Sequence, residues 1–372
     1  MATTLRTALC AVLAATAFAG VAVSADEVTV AEPRLTLKGH TSDLWSAVFS
    51  PDGTRILTAS SDKTAKLWDR RTGAEIATLE GHSEGVRNVA FSPDGAIIAT
   101  VSRDGTGRLW DGKSGAAIAT LTGHETMIEA VAFSGDGTRV VTGSLDMSAR
   151  VWDAKTGAPL LTLKGHEGNV AHVEFSPDGK FIATGSHDRT ARIWDATTGA
   201  VIATLGDHGG MVSSAGFSPD GMRLVTGSSD KITRLWDAKT GALLSKLEGH
   251  GRSVLRAFFD ASGTRIYTAS SDKTAKLWDA QKGTELATFV GHKRYVMRMA
   301  LSHDGKRLVT SSHDKTARVW DATTGALLAT LSGHLMEVED AEFSPDGREV
   351  VTASYDGNAR VWDISAFVDA PK

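Results

Sequence analysis

Of 372 residues only one is cysteine and three are tyrosine, and aromatics as a whole make up 6%. The lone Cys10 excludes an intramolecular disulfide and any cysteine-cluster zinc site. Charge of one sign is also missing: 40 Lys and Arg face 44 Asp and Glu, a formal net charge of −4 spread along the chain. That balance speaks against a nucleic-acid partner, which needs a clustered basic surface. Helix-period patterning is absent, so an all-β chain is expected. Hydrophobic residues make up 41%, enough for a large soluble core and too few for repeated membrane spans. Glycine is plentiful: 38 residues, about 10% of the chain against a typical ~7%, which implies many turns.

Residues 1–25 read differently from the rest. Arg6 is their only charge, Ala8 to Val23 is apolar, and Val23-Ser24-Ala25 sets small residues before Asp26. A positive start, a short apolar stretch and a small-residue cleavage site make a secretory signal peptide. The apolar stretch, ~16 residues diluted with alanine, is short for a membrane anchor. Leu9 before Cys10 is bulkier than the small residue a lipoprotein signal requires. Cleavage after Ala25 takes Arg6 and Cys10 with it and leaves a net charge of −5 (39 minus 44). The expected compartment is the periplasm or the exterior, with no stable membrane span after cleavage.

Beyond this leader the chain repeats. Trp-Asp pairs fall at Trp68, Trp110, Trp152, Trp194, Trp236, Trp278, Trp320 and Trp362, each step 42 residues. A histidine leads each pair by 28 positions, from His40 to His334, and glycine precedes every one except His208, where Asp207 stands. The first copy divides into four short strands at Leu44–Phe49, Arg55–Ser60, Thr64–Trp68 and Glu75–Leu79, parted by Gly- and Asp-containing turns. Four-stranded units at a period of 40–45 with these signatures resemble the WD40-repeat family, from residue 35 to 363. The resemblance implies a single β-propeller, with residues 26–34 as a lead and 364–372 as a tail. Eight sets of the first three strands but only seven following fourth strands are present, and Arg34–Lys38 sits before His40 as Ile76–Glu80 sits before His82. The N-terminal strand is therefore expected to complete the last of eight blades, which leaves no open sheet edge. Seven blades plus a loose repeat is the weaker alternative.

The eight copies can be compared with one another. Thr stands four residues before every turn aspartate and Ser two before, from Thr58 and Ser60 to Thr352 and Ser354. In WD40 proteins a histidine, a hydroxyl residue, an aspartate and the tryptophan form a buried hydrogen-bond chain. Period-2 geometry puts Thr58 and Ser60 on one sheet face, so either could supply the hydroxyl. With serine in that role the network is His40, Ser60, Asp62 and Trp68 in the first copy, and His166, Ser186, Asp188 and Trp194 in the fourth. A His-Asp-Ser set occurring eight times is structural, because a catalytic constellation needs a unique pocket. The P-loop-like string Gly107–Ser114 lacks the following helix that a phosphate cradle requires, and His166-Glu167 with His172 misses metal-ligand spacing. No cofactor or metal is expected.

Function is then expected where the copies differ. The resemblance implies that residues three and five after each histidine, and the one before each turn aspartate, surround the opening of the top face and contact partners. These columns hold Trp45, the one tryptophan outside the repeat signature, together with Tyr295 and Tyr355. Closure of the ring should set Tyr295, Met297, Tyr355 and Trp45 on one arc, flanked by Asp43, Glu337 and Glu339, with Arg87 and Arg103 beyond. Aromatic anchors beside mixed charge suit a protein or peptide interface. The expected function is a non-catalytic interaction scaffold of the periplasm or exterior. The alternative is a propeller enzyme or small-ligand binder that uses the central channel, for which His187 and His313 are the nearest candidates.

Overall fold

The computed structural model describes residues 30–367; the expected cleavage at Ala25 and the end of the tail lie outside them. Eight antiparallel sheets follow one another around a ring. The first full sheet runs Leu44–Phe49, Arg55–Ser60, Ala65–Asp69 and Glu75–Leu79 from the central opening outward. Each later copy repeats this order, so blades are numbered here by their Trp-Asp pairs. Tight turns join the strands: at Gly53 the chain takes a φ of 67°, and the Gly53 N–H returns to the Ser50 carbonyl at 2.8 Å. Only glycine enters that left-handed conformation without cost.

Burial explains the sequence pattern within a blade. Every residue of Arg55–Ser60 is buried, because both faces of the sheet are covered by neighbouring blades. The strand's apolar members Ile56, Leu57 and Ala59 pack against neighbouring blades, while buried Thr58 and Ser60 are satisfied by hydrogen bonds. Between blades one and two, Leu57, Ala59, Leu67 and Leu79 meet Val86, Val89, Ile98 and Trp110. Burying one such aliphatic side chain contributes ~1.5–3 kcal/mol, and eight such interfaces make up the core.

The expected closure is present. Pro33–Leu37 pairs antiparallel with Ala359–Asp363, with Leu35 opposite Val361 and Leu37 opposite Ala359. The eighth blade thus takes its outermost strand from the N-terminal side and its other three from the C-terminal side. Leu37, 1% exposed, joins Leu44, Phe49, Ile56, Trp68, Val351 and Val361 in the cluster between blades eight and one. Two features were not expected. The lead is not merely a lead: Val30–Ala31 adds a fifth, parallel strand to blade seven, with Val30 opposite Thr330 and Ala31 opposite Leu331. The tail also begins inside the fold, where Ile364 is fully buried and Phe367 packs on the cluster between blades seven and eight.

Deleting residues 26–38 removes the outer strand of blade eight and uncovers this seam. Loss of a buried leucine side chain alone costs ~2–5 kcal/mol, so the melting temperature of the whole ring should fall by several degrees or more. An unchanged melting temperature would refute the closure.

Candidate functional site

The repeated polar column decides which histidines are free to do chemistry. In blade one His40 Nδ1 lies 2.8 Å from Asp62 Oδ2, and His40 Nε2 lies 2.8 Å from Thr58 Oγ1. Trp68 Nε1–H donates to the same Thr58 Oγ1 at 2.9 Å. An ionised carboxylate only accepts and an indole only donates. The proton order is therefore fixed: indole to hydroxyl, hydroxyl to Nε2, and Nδ1–H to carboxylate. In blade four the corresponding atoms are His166, Thr184, Asp188 and Trp194, at 2.7–2.9 Å. Burial holds the His166 ring below its usual pKa against the opposing pull of Asp188, so the imidazole is neutral. Asp188 is held down at about 2; burial pushes it up, but hydrogen bonds from Thr190 and His166 outweigh that.

This corrects the assignment of Ser60 and Ser186 to the relay. Both serines share the sheet face with the threonines but sit at the strand end, where they serve the turn. Ser60 Oγ donates to the Ser42 carbonyl and accepts the Asp62 N–H, each at 3.1 Å; Ser186 does the same with Gly168 and Asp188. Blade five departs from the pattern. There Arg234 takes Asp230 at 2.8 Å and Ile232 replaces the hydroxyl residue after the turn. Lys246 meanwhile holds Asp207 at 2.7 Å. His208 keeps its bond to Thr226, and burial followed by the Arg234 guanidinium pushes its pKa down to about 4.

The columns that differ between blades form a connected surface on the face carrying the turn aspartates. Trp45 donates its indole N–H to Ser61 Oγ at 2.7 Å and meets Tyr355 edge-on at 5.0 Å. Arg87 and Arg103 lie over the Trp45 ring at 3.9 and 5.3 Å. Tyr355 donates its O–H to Glu339 Oε2 at 3.0 Å, and His313 Nε2 approaches the same oxygen at 3.3 Å. Tyr295 then lies 6.0 Å from the His313 ring. An unbroken path runs from Arg103 through Trp45, Tyr355, Glu339 and His313 to Tyr295. Burial opposes charge on Glu339, but the His313 bond and the Arg298 and Arg87 guanidiniums hold its carboxyl below the usual range. Burial and then that carboxylate push the Tyr355 phenol up, so it remains a donor.

The other expected site residues fall around this path with unequal parts. Met297 lines the central opening, Asp43 is half-buried beside Tyr355, and Glu337 pairs with exposed Arg294 at 3.5 Å. Glu339, at 5% exposed, supports the path from beneath rather than meeting solvent. His313 and Ser61 are the members that sequence reasoning did not place in the arc. Their position directly before a turn aspartate was the available signal.

Inside the ring lies a cavity of about 620 Å³ lined by the innermost strands, with Arg87, His172, Glu174, Arg256, Arg298 and Glu342 among its walls. Burial pushes Glu174 up to about 7, while burial and then Asp340 push Glu342 up to about 8. Burial followed by Arg256 and Arg298 pushes His172 down to about 3. Glu174 and Glu342 belong to blades four and eight, on opposite sides of the ring, so they do not act as an acid–base pair. His187 lines this cavity whereas His313 lines a separate depression. Among the described residues no group of three or more His, Cys, Asp or Glu is placed to hold a metal.

The family described as WD domain, G-beta repeat matches eight consecutive segments: 31–69, 73–111, 115–153, 157–195, 199–237, 241–279, 283–321 and 325–363. The chain belongs to the WD40 family. WD40 propellers generally serve as non-catalytic protein-interaction scaffolds. A curated relative, Protein Mut11 of Chlamydomonas reinhardtii, is 45% identical over 42 residues, or 11% of each chain. That stretch is one repeat long, so the likeness is of blade to blade. The crystal structure of the computationally designed Ika8 protein is similar to this WD40 ring with a TM-score of 0.80 and 30% identity, over 89% of this chain and 99% of that one.

Two measurements follow from this geometry. Thr184→Val keeps the shape of the WD40 relay residue but leaves the indole and the imidazole unpaired, and should cost about 1–3 kcal/mol. Thr184→Ser keeps the hydroxyl and should melt closer to wild type; equal losses would put the relay hydroxyl elsewhere. Glu342 concerns pH. Its folded pKa lies above the unfolded one, so it contributes a stability loss that grows as pH rises from about 4.5 toward about 8. Glu342→Gln should therefore raise the melting temperature most above pH 8 and hardly at pH 4, and a pH-independent difference would contradict this.

Proposed function

We propose that this protein is an exported, non-catalytic scaffold that binds a protein or peptide partner on the top face of the propeller. The observation that carries the reading is the arc from Arg103 to Tyr295. Trp45 lies beneath two guanidiniums and is oriented by Ser61, so its ring is held in one position before any partner arrives. Pre-ordered aromatic and arginine side chains are the groups that dominate interface energetics. The arc also lies in the columns where eight otherwise near-identical copies diverge, whereas the relay histidines are all engaged in folding. Export rests on the layout of residues 1–25.

The second reading, a small-ligand binder in the channel, draws support from the cavity and its shifted titratable groups. Such groups cluster at functional sites, though structural networks shift them too. One experiment separates the two readings. The protein is affinity-purified from the exported fraction, where its N-terminus should be Asp26, alongside a Trp45→Ala, Tyr295→Ala, Tyr355→Ala variant. A partner protein held by wild type and lost with the folded variant, by tenfold or more, is the expected result. Equal capture by both would move the site off the arc, and recovery only in the cytosol would overturn export.

A further inference from the structure

The top face is electrically lopsided in a chain whose formal net charge is −4. A cleft of about 480 Å³ between blades six and seven is lined by Arg252, Lys273, Lys293, Arg294, Tyr295, Ser271 and His313, with no carboxylate among its walls. Two further depressions adjoin it. One reaches Lys231, Leu255 and Met297 and shares Arg252 and Tyr295; the other reaches Lys315 and Met336, shares Lys293 and Arg294, and has Asp314, engaged by His292, and Glu337 at its edge. Together they form a groove across blades five to eight with Tyr295, 42% exposed, at its middle. Among the described residues, the side chains of Arg252, Lys273 and Lys293 make no ion pair or hydrogen bond. Arg294 has only the loose pairing with Glu337 at 3.5 Å, and Lys315 donates to the Leu335 carbonyl. The loops of blades two to four mix Glu84, Glu125 and Glu167 with Arg103 and Arg189, so the unpaired cations are concentrated at blades six and seven. Four cations gathered around one cleft repel one another, and an incoming anion removes that cost.

We propose that this groove receives an acidic stretch of the protein partner, consecutive Asp or Glu residues whose carboxylates meet Arg252, Lys273, Lys293 and Arg294 while Tyr295 packs against the peptide. The inference rests on the protein-binding reading above and names the chemistry of the segment bound. Guanidinium and ammonium groups reach carboxylates with charge-assisted hydrogen bonds, and Tyr295 supplies a rigid apolar contact between them. Alternation of cations with Leu255, Met297 and Met336 along the groove suits an acidic segment that also carries apolar side chains.

The test uses the full exported chain and a fluorescent oligo-glutamate peptide read by polarisation, with oligo-glutamine and oligo-lysine as controls. Binding of oligo-glutamate alone is expected, weakening steeply between about 0.05 and 0.5 M salt as charges are screened. Arg252→Glu with Lys293→Glu should weaken it at least tenfold, with Arg252→Gln and Lys293→Gln intermediate and all melting curves near wild type. Glu125→Gln, across the ring, should leave it unchanged. Indifference to these reversals, or tighter binding of a single-stranded oligodeoxythymidylate competitor, would overturn the inference. So would capture of the partner from the exported fraction by the charge-reversed protein but not by the triple alanine variant, a result that leaves the scaffold reading standing.

Discussion

Each blade is built on four antiparallel strands with apolar side chains on both faces, and this constraint governs the rest of the molecule. A sheet of that kind cannot be covered by its own chain segment; it needs a neighbour on each side. Leu57 and Leu67 find cover only in blade two, and Val351 and Val361 only in blade one. An open row of such sheets would leave an apolar face bare at each end, so the row closes. Closure in turn recruits Pro33–Leu37 to the eighth blade, which locks the two ends of the chain into one sheet. Val30–Ala31 then reaches past that seam to blade seven, tying a third element into the junction.

With both faces of every sheet committed to packing, little of the surface remains free to differentiate. The relay of Trp, Thr, His and Asp consumes the polar side chains at the interior of each blade and fixes the turn that the aspartate anchors. Asp62, for example, accepts the Thr41 and Thr64 N–H groups as well as the imidazole. What lies immediately beside that anchored turn is held in place by it yet differs from blade to blade. Ser61, His313 and Tyr355 occupy this place in three blades, and all three belong to the arc around Trp45 and Glu339. A stable frame thus presents its variable residues at fixed positions.

Much of this was legible in the sequence, because a repeat of 42 residues multiplies a weak local signal eight times. The count of strands gave the ring and its closure, and the three variable columns gave the arc. Two residues equivalent by period are not distinguished by sequence. Thr58 and Ser60 differ by one pleat on the same face, and only the reach of the imidazole and indole nitrogens distinguishes them. The parallel strand at Val30–Ala31 is two residues long and carries no pattern of its own. The shifted carboxyls Glu174 and Glu342 were invisible for another reason: they depend on which side chains face one another across the channel.

Blade five shows how the fold tolerates a broken copy. Replacing the usual glycine by Asp207 brings a carboxylate beside the blade, and Arg234 and Lys246 turn toward it. Arg234 also claims Asp230, so the imidazole loses its acidic partner while the turn keeps its anchor through the Gly209 and Ile232 N–H groups. The aspartate is thus the member that the turn needs, and the histidine is one of its interchangeable partners. Here a guanidinium meets the carboxylate that the Nδ1–H of a neutral imidazole meets elsewhere. The indole–threonine–imidazole half survives at 2.8–2.9 Å, and the blade still buries Trp236 against blade four and Leu235 against blade six. The ring therefore bears local change in its polar columns as long as both apolar faces stay covered, and the same tolerance leaves its top-face loops free to diverge.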